Sequence, residues 1–171
     1  MFRLSKITDY GIVLLAHLAK GAPADAALGA SEPEPHNARE LAADVDLPVP
    51  VVSKVLKLLA RGGILESQRG SKGGYALARP AQRITVAEVI DALEGPVAIT
   101  ECAVGPSVCL HEVRCAVRDP ITTINQVVRD ALRAVTLADL VDPHFGASHF
   151  ASDALRLLER TPGAPPRARA E

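Results

Sequence analysis

The sequence predicts a mainly α chain with one small β-hairpin, and three observations predict it. Two short helical patterns flank the break Asp46-Leu47-Pro48. Two strand-like runs enclose Arg69-Gly70-Ser71-Lys72-Gly73-Gly74, a tip rich in glycine and positive charge. A long apolar stripe follows a stretch, Glu101 to Arg118, that holds all three cysteines of the chain.

With 171 residues, 48% of them hydrophobic and 23% charged, the chain has enough apolar material for a core, which excludes global disorder. Aromatics make up only 3% and Trp is absent, so that core must be built from Leu, Val, Ile and Ala. The apolar run from Gly11 to Ala16 is far too short to span a membrane. The start, Met1-Phe2-Arg3-Leu4-Ser5-Lys6, lacks the apolar region of a signal peptide, and a cytoplasmic protein is expected. In that compartment thiols stay reduced, and three cysteines cannot all pair. Thiolate ligation or redox sensing therefore outranks a structural disulfide. The net charge of -1 hides an asymmetry, since residues 47–83 carry seven basic side chains against the single acid Glu66. A local excess of six positive charges marks where a polyanion docks.

The first helix is expected from about Ser5 to Lys20, with Tyr10, Leu14 and Leu18 forming one buried stripe and Asp9 in its first turn, where an acid complements the helix dipole. Residues 21–36, rich in Ala, Pro, Gly and acids, read as an inserted surface loop of no fixed structure. Asn37 with Glu40 forms a near capping box that opens a second helix, whose apolar face is Leu41, Ala42 and Val45. Pro48 forces a break. The third helix runs from Val49 or Pro50 to about Arg61, with Val52, Val55, Leu56 and Leu59 inward and Ser53, Lys54, Lys57 and Arg61 outward. Gly62-Gly63 ends it as a left-handed cap would.

Two helices joined by so brief a turn form a helix-turn-helix or an ordinary antiparallel pair, and the residues from Ile64 to Leu77 favour the former. The runs from Ile64 to Gln68 and from Tyr75 to Leu77 are strands, and the tip between them is a wing. Its glycines let the backbone approach a phosphate closely, and Arg69 can enter a minor groove. A nucleotide-phosphate loop is rejected, because Lys72 is followed by Gly73 rather than Ser or Thr and no helix starts there.

After a linker from Ala78 to Arg83, Thr85-Val86-Ala87-Glu88 is a second capping box for a helix ending at Glu94-Gly95. The cysteine stretch is expected to be irregular, interrupted by Gly105-Pro106, with six and then five residues between Cys102, Cys109 and Cys115. Asp119-Pro120 supplies an N-cap and a proline at the first helical position. Ile121, Ile124, Val128, Ala131, Leu132 and Val135 then form a stripe suited to lie against its copy in a second subunit. Thr136 to Leu140 is a closing turn, Ser148 to Arg160 one more amphipathic helix, and Thr161 to Glu171 a disordered tail. The division expected is a winged helix-turn-helix over residues 1–83, a cysteine-loop sensor with a long dimerisation helix over 84–141, and a tail over 142–171.

In this order the parts resemble the winged-helix iron–sulfur transcriptional regulators that include IscR, NsrR and RirA, most nearly the branch that controls the SUF cluster-assembly genes. The resemblance covers residues 1–141 apart from the loop 21–36, and is strongest in Leu47-Pro48-Val49-Pro50-Val51-Val52-Ser53-Lys54-Val55-Leu56 and Arg69-Gly70-Ser71-Lys72-Gly73-Gly74-Tyr75. The cysteine stretch and Thr136-Leu137-Ala138-Asp139-Leu140 add to it. It implies a homodimer on double-stranded operator DNA, probed through Ser53, Lys54, Lys57, Arg69, Ser71 and Lys72. An acid that helps IscR choose between operators is replaced by Ser53, so that discrimination does not transfer.

The resemblance further implies an iron–sulfur cluster, 2Fe-2S or 4Fe-4S, on Cys102, Cys109 and Cys115, with a fourth ligand to be found. IscR-like chains place a His three residues after the last cysteine, where this chain has Arg118. NsrR-like chains use a carboxylate near the start of the first helix, donated by the partner subunit, and Asp9 occupies that place. His111 is a weaker candidate. Zinc on the same thiolates with His111 is the competing metal, although the spacing lacks paired short knuckles. A nitric-oxide or redox sensor of the same fold is equally compatible. A thiol enzyme is not expected, because no Cys-x-x-Cys pair or Cys-His-carboxylate pattern is present. A winged helix used only for protein contacts sits poorly with the basic segment.

Overall fold

The computed structural model describes residues 3–21, 35–70, 73–105, 108–110 and 114–145. Six helices and one hairpin appear among them: α1 (Lys6–Gly21), α2 (Ala38–Asp44), α3 (Val49–Arg61), β1 (Leu65–Gln68), β2 (Gly74–Leu77), α4 (Val86–Glu94), α5 (Arg118–Ala134) and α6 (Leu137–Val141). Short 3-10 turns lie at Ala81–Arg83 and Glu101–Ala103. None of the described helices is long and apolar enough to cross a membrane.

The α2–α3 pair owes its geometry to its ends. The Asn37 side chain accepts from the Arg39 and Glu40 amides while Glu40 reaches back to the Asn37 amide, closing the capping box. In the turn, Asp46 takes a left-handed conformation (φ 52°), which a short polar side chain tolerates better than most. Val52, Val55, Leu56 and Leu59 of α3 are completely buried, as are Leu14 and Leu15 of α1 and Leu41 of α2. Truncating one such leucine costs about 2–5 kcal/mol. Gly62 closes α3 and Gly63 (φ 70°) supplies the left-handed residue beyond it.

The hairpin is antiparallel, with Leu65 opposite Leu77 and Gln68 opposite Gly74. The expected loop 21–36 is shorter at both ends than the sequence suggested. Gly21 is the last residue of α1, and His36 pairs with Tyr75 as a one-residue third strand, through His36 N–H to Tyr75 O at 3.0 Å and Tyr75 N–H to His36 O at 2.8 Å. The edge of β2 was open to that pairing, and backbone groups seek partners. Residues 22–34 lie outside the described residues.

Further departures concern the second half. The stretch expected to be irregular contains a 3-10 turn, Glu101–Ala103. Helix α5 begins at Arg118 with Val117 as its cap, so Asp119 is not the N-cap and Pro120 sits third in the helix. A proline is harmless there, since amides of the first turn have no partner within the helix. The α5 stripe also divides. Val128 and Leu132 pack on Val86, Ile90, Val97 and Val135 in a second small core, whereas Ile124 is 51% exposed. Val135 caps the helix from outside it.

The two halves share buried material. Ile84, Val89 and Leu137 belong to the same core as α1, α2 and α3. The starts of α4 and α6 are stitched by Val86 N–H to Val135 O (2.9 Å) and Leu137 N–H to Ile84 O (2.8 Å), each beside a capping box, Thr85 with Glu88 and Thr136 with Asp139. The expected helix over 148–160 and tail over 161–171 lie outside the described residues.

Candidate nucleic-acid interface and thiol loop

Because α3 buries its Val52, Val55, Leu56 and Leu59 face, the opposite face must point outward. Lys54, Lys57 and Arg61 are exposed there, and Ser53 is half-buried at its border. Arg69, directly after β1, is exposed as well. Ser71 and Lys72 at the wing tip lie outside the described residues. Glycine is required at two points of the wing. A Cβ on Gly73 would run into the Gln68 carbonyl, and one on Gly74 would strike the His36 backbone that pairs beside it.

Not all of the basic segment is available to a polyanion. Arg79 bonds the Glu88 carboxylate at 3.0 Å and the Arg83 carbonyl at 3.3 Å. The Glu88 carboxyl is held below the usual range, first by the backbone N–H of Thr85 and also by the Thr85 hydroxyl and Arg79, against a desolvation penalty. Arg79 thus braces the start of α4 rather than the reading face.

All three cysteines are unpaired and half-buried. Cys102 lies in the 3-10 turn, with the Thr100 hydroxyl 3.1 Å from its sulfur. The Cys115 carbonyl accepts the Arg118 amide at 3.3 Å, so Cys115 leads directly into α5. His111 lies outside the described residues. Among the described residues, no three Cys, His, Asp or Glu side chains gather into a group able to hold a metal ion. The three thiols therefore stand in one loop without converging, and Asp9, exposed in the first turn of α1, does not join them within a protomer. In kind, the donor set fits a soft metal or an iron–sulfur cluster, because reduced thiols that can ionise are its preferred ligands.

Asp9 nonetheless sits on a firmly placed helix end. Glu94, at the end of α4, accepts the Ser5 amide at 2.8 Å and the hydroxyl of the fully buried Thr8. Those bonds, Thr8 foremost, hold the Glu94 carboxyl below the usual range despite an opposing desolvation penalty. The loop also leaves α4 under restraint. Asp91 accepts the Val97 amide at 3.1 Å, Arg129 pairs with Asp91 at 3.6 Å, and Asn125 accepts the Ile99 amide at 2.9 Å. Sequence reasoning passed over Asn125, Asp91, Arg129 and Glu94. The signal for Asn125 was a lone amide on the apolar side of α5.

A two-helix reading unit, a basic wing and a thiol loop mounted on a long helix define a winged-helix transcriptional regulator. The profile of the Rrf2 family, described as "Iron-dependent Transcriptional regulator", matches residues 4–143. The chain belongs to the Rrf2 family, whose members regulate transcription and are not enzymes. It is 30% identical over 139 residues to the transcriptional repressor NsrR of Streptomyces coelicolor, covering 81% of this chain and 88% of that one. A putative helix-turn-helix regulator of Neisseria meningitidis is 38% identical over 84 residues, 49% of this chain, which spans just over half (56%) of that relative's length. Among solved structures, CymR, "the Global Cysteine Regulator of B. subtilis", superposes with a TM-score of 0.62 at 26% identity, over 82% of this chain and 97% of that one.

Proposed function

We propose that the protein is a homodimeric, cytoplasmic repressor that binds operator DNA through α3 and the wing and reports iron–sulfur, iron or redox status through Cys102, Cys109 and Cys115. The observation that carries this is the placement of the thiols. Three reduced, half-buried cysteines occupy one loop that leads into α5, and the far end of α5 is stitched to Ile84 and Leu137 in the core that seats the reading helix. Lys54, Lys57, Arg69 and Lys72 hold phosphates or a narrow minor groove, while Ser53 and Ser71 add short polar contacts. The exposed Ile124 and Val127 of α5 suit a second copy, whose Asp9 would complete the ligand set. A 2Fe-2S or 4Fe-4S cluster, when bound, supplies lability and redox change. The chain's own part is mechanical. When its thiolates are released the loop relaxes, α5 shifts, and the two reading heads no longer match the spacing of the half-sites. The genes of iron–sulfur cluster assembly are the targets proposed.

A second reading, a regulator of the same fold that answers through oxidation of its thiols, is favoured by the thiols' lack of convergence, since that chemistry needs no metal held between all three. One experiment tests the proposal. Anaerobically purified protein selects its sites from fragmented genomic DNA, and affinity for those sites is remeasured after chelation and in Cys102→Ala, Cys109→Ala and Cys115→Ala. The expected result is at least about a tenfold change on chelation, abolished in each variant. Unchanged affinity throughout would remove the sensing role and leave a constitutive DNA-binding protein.

A further inference from the structure

We infer that Asn125 is a positioning residue for Cys102, through which α5 holds the entry of the thiol loop and carries its state to the reading core. This rests on the proposal that the three cysteines form the sensing site. Asn125 is 4% exposed and, with Thr8, one of two buried polar residues among those described. Its Oδ1 accepts the Ile99 amide at 2.9 Å and its Nδ2 donates to the Val97 carbonyl at 3.4 Å. The amide N–H of Val97 is bound from the other side by Asp91 at 3.1 Å, and Asp91 is bridged back to α5 by Arg129 at 3.6 Å. The segment from Val97 to Ile99 is therefore clipped between α4 and α5, three residues ahead of Cys102.

The other end of the excursion is also tied to α5, since Cys115 O accepts from Arg118 N. The thiol loop thus leaves α4, is held to α5 near its entry by Asn125, and ends in the turn that opens α5. Leucine has nearly the shape of asparagine and is the commoner occupant of a buried position, so packing alone does not call for an amide. The amide reads the backbone at two points, which fixes where the chain starts toward Cys102 and makes any displacement of that start a force on α5. At its C-terminal end α5 meets the bridge Thr85–Thr136, which joins it to Ile84 and Leu137 and so to the core shared with α3.

The test uses the full-length protein without metal, so it remains readable even if no cluster ever binds. Amide hydrogen exchange is followed at Val97, Ile99, α5 and residues 84–86 and 135–137, and alkylation of Cys102 is compared with that of Cys115. In Asn125→Leu, Ile99 should exchange at least about tenfold faster and Cys102 should react several-fold faster, with Cys115 and α3 unaltered. In wild type, alkylating the cysteines should change exchange along α5 and at the 84–86/135–137 stitch, a response absent from Asn125→Leu. Asn125→Ala removes both contacts without adding bulk, and in it Ile99 should likewise exchange at least about tenfold faster. Should Asn125→Leu fail to fold, Asn125→Ala still decides: unchanged Ile99 exchange there would overturn the assignment. So would unchanged Ile99 exchange in folded Asn125→Leu, or an α5 response that survives in it. Failure of iron to bind wild type would instead remove the sensing proposal and leave these arms standing.

Discussion

Lys54 and Lys57 owe their position to four neighbours that point the other way, and their energetic role follows from charge alone. Each, held outward on α3, is suited to neutralise one phosphate, so Lys54→Ala or Lys57→Ala should weaken DNA binding at all sequences. Each should also reduce the slope of log affinity against log salt by about 1. Anisotropy titrations across a salt series measure this, and an unaltered slope would take that lysine off the DNA. Glu94 supports a prediction in pH. Its folded-state pKa is held below the ordinary glutamate value, by the Thr8 hydroxyl foremost and by Ser5, so its contribution to stability is complete above the unfolded-state pKa and is lost as pH falls through the folded one. Glu94→Gln should therefore destabilise the protein near neutral pH and flatten the decline in stability on acidification, as urea unfolding at about pH 7 and about pH 4 would show. Equal losses at both values would mean that the carboxylate's charge is irrelevant.

At the scale of elements, what could be read in the sequence and what could not divide along physical lines. The α2–α3 pair, the hairpin and the start of α4 were legible because their signals are local: a capping Asn or Thr with Glu three residues on, a proline break, paired glycines, and an unbroken inward set on α3. The start of α5 was misread because Asp119-Pro120 is a valid local signal that the chain does not use, the Arg118 amide having found the Cys115 carbonyl instead. Arg79 was counted in the basic segment's excess of charge although Glu88, which lies outside that segment, pairs with it. Asn125 and His36 were missed for a related reason, since their partners, Ile99 and Tyr75, are 26 and 39 positions away and no periodicity encodes them. The join between α3 and α4 depends on such a distant contact. A Cβ on Gly62 would collide with Ala92, on the facing side of α4. Gly62→Ala should accordingly cost about 1–3 kcal/mol of stability in urea unfolding, where a glycine-to-alanine change in open space would be neutral or favourable. A stabilised Gly62→Ala variant would mean that α4 can retreat without loss.

For the whole molecule, the arrangement links three places: a reading face on α3 and the wing, a thiol loop at one end of α5, and a stitched junction at the other end. α1 packs on α3, α4 and α6, and Glu94 fixes its first turn. The chain's nearly neutral net charge, -1, matters less than its distribution, because the positive segment is concentrated where α3 and the wing lie. Membership of the Rrf2 family accounts for the fold and for transcriptional regulation, and leaves the sensing chemistry to be measured. Everything proposed about sensing turns on whether the three cysteines hold an iron–sulfur cluster. Purifying the full-length protein under strict anaerobiosis, counting iron, sulfide and zinc per chain, and recording the visible spectrum would decide it. Iron with matching sulfide and charge-transfer absorption is expected, all lost in Cys102→Ala, Cys109→Ala and Cys115→Ala. Zinc alone, or no metal after an attempt to rebuild the cluster, would mean that the cysteines hold no such cluster.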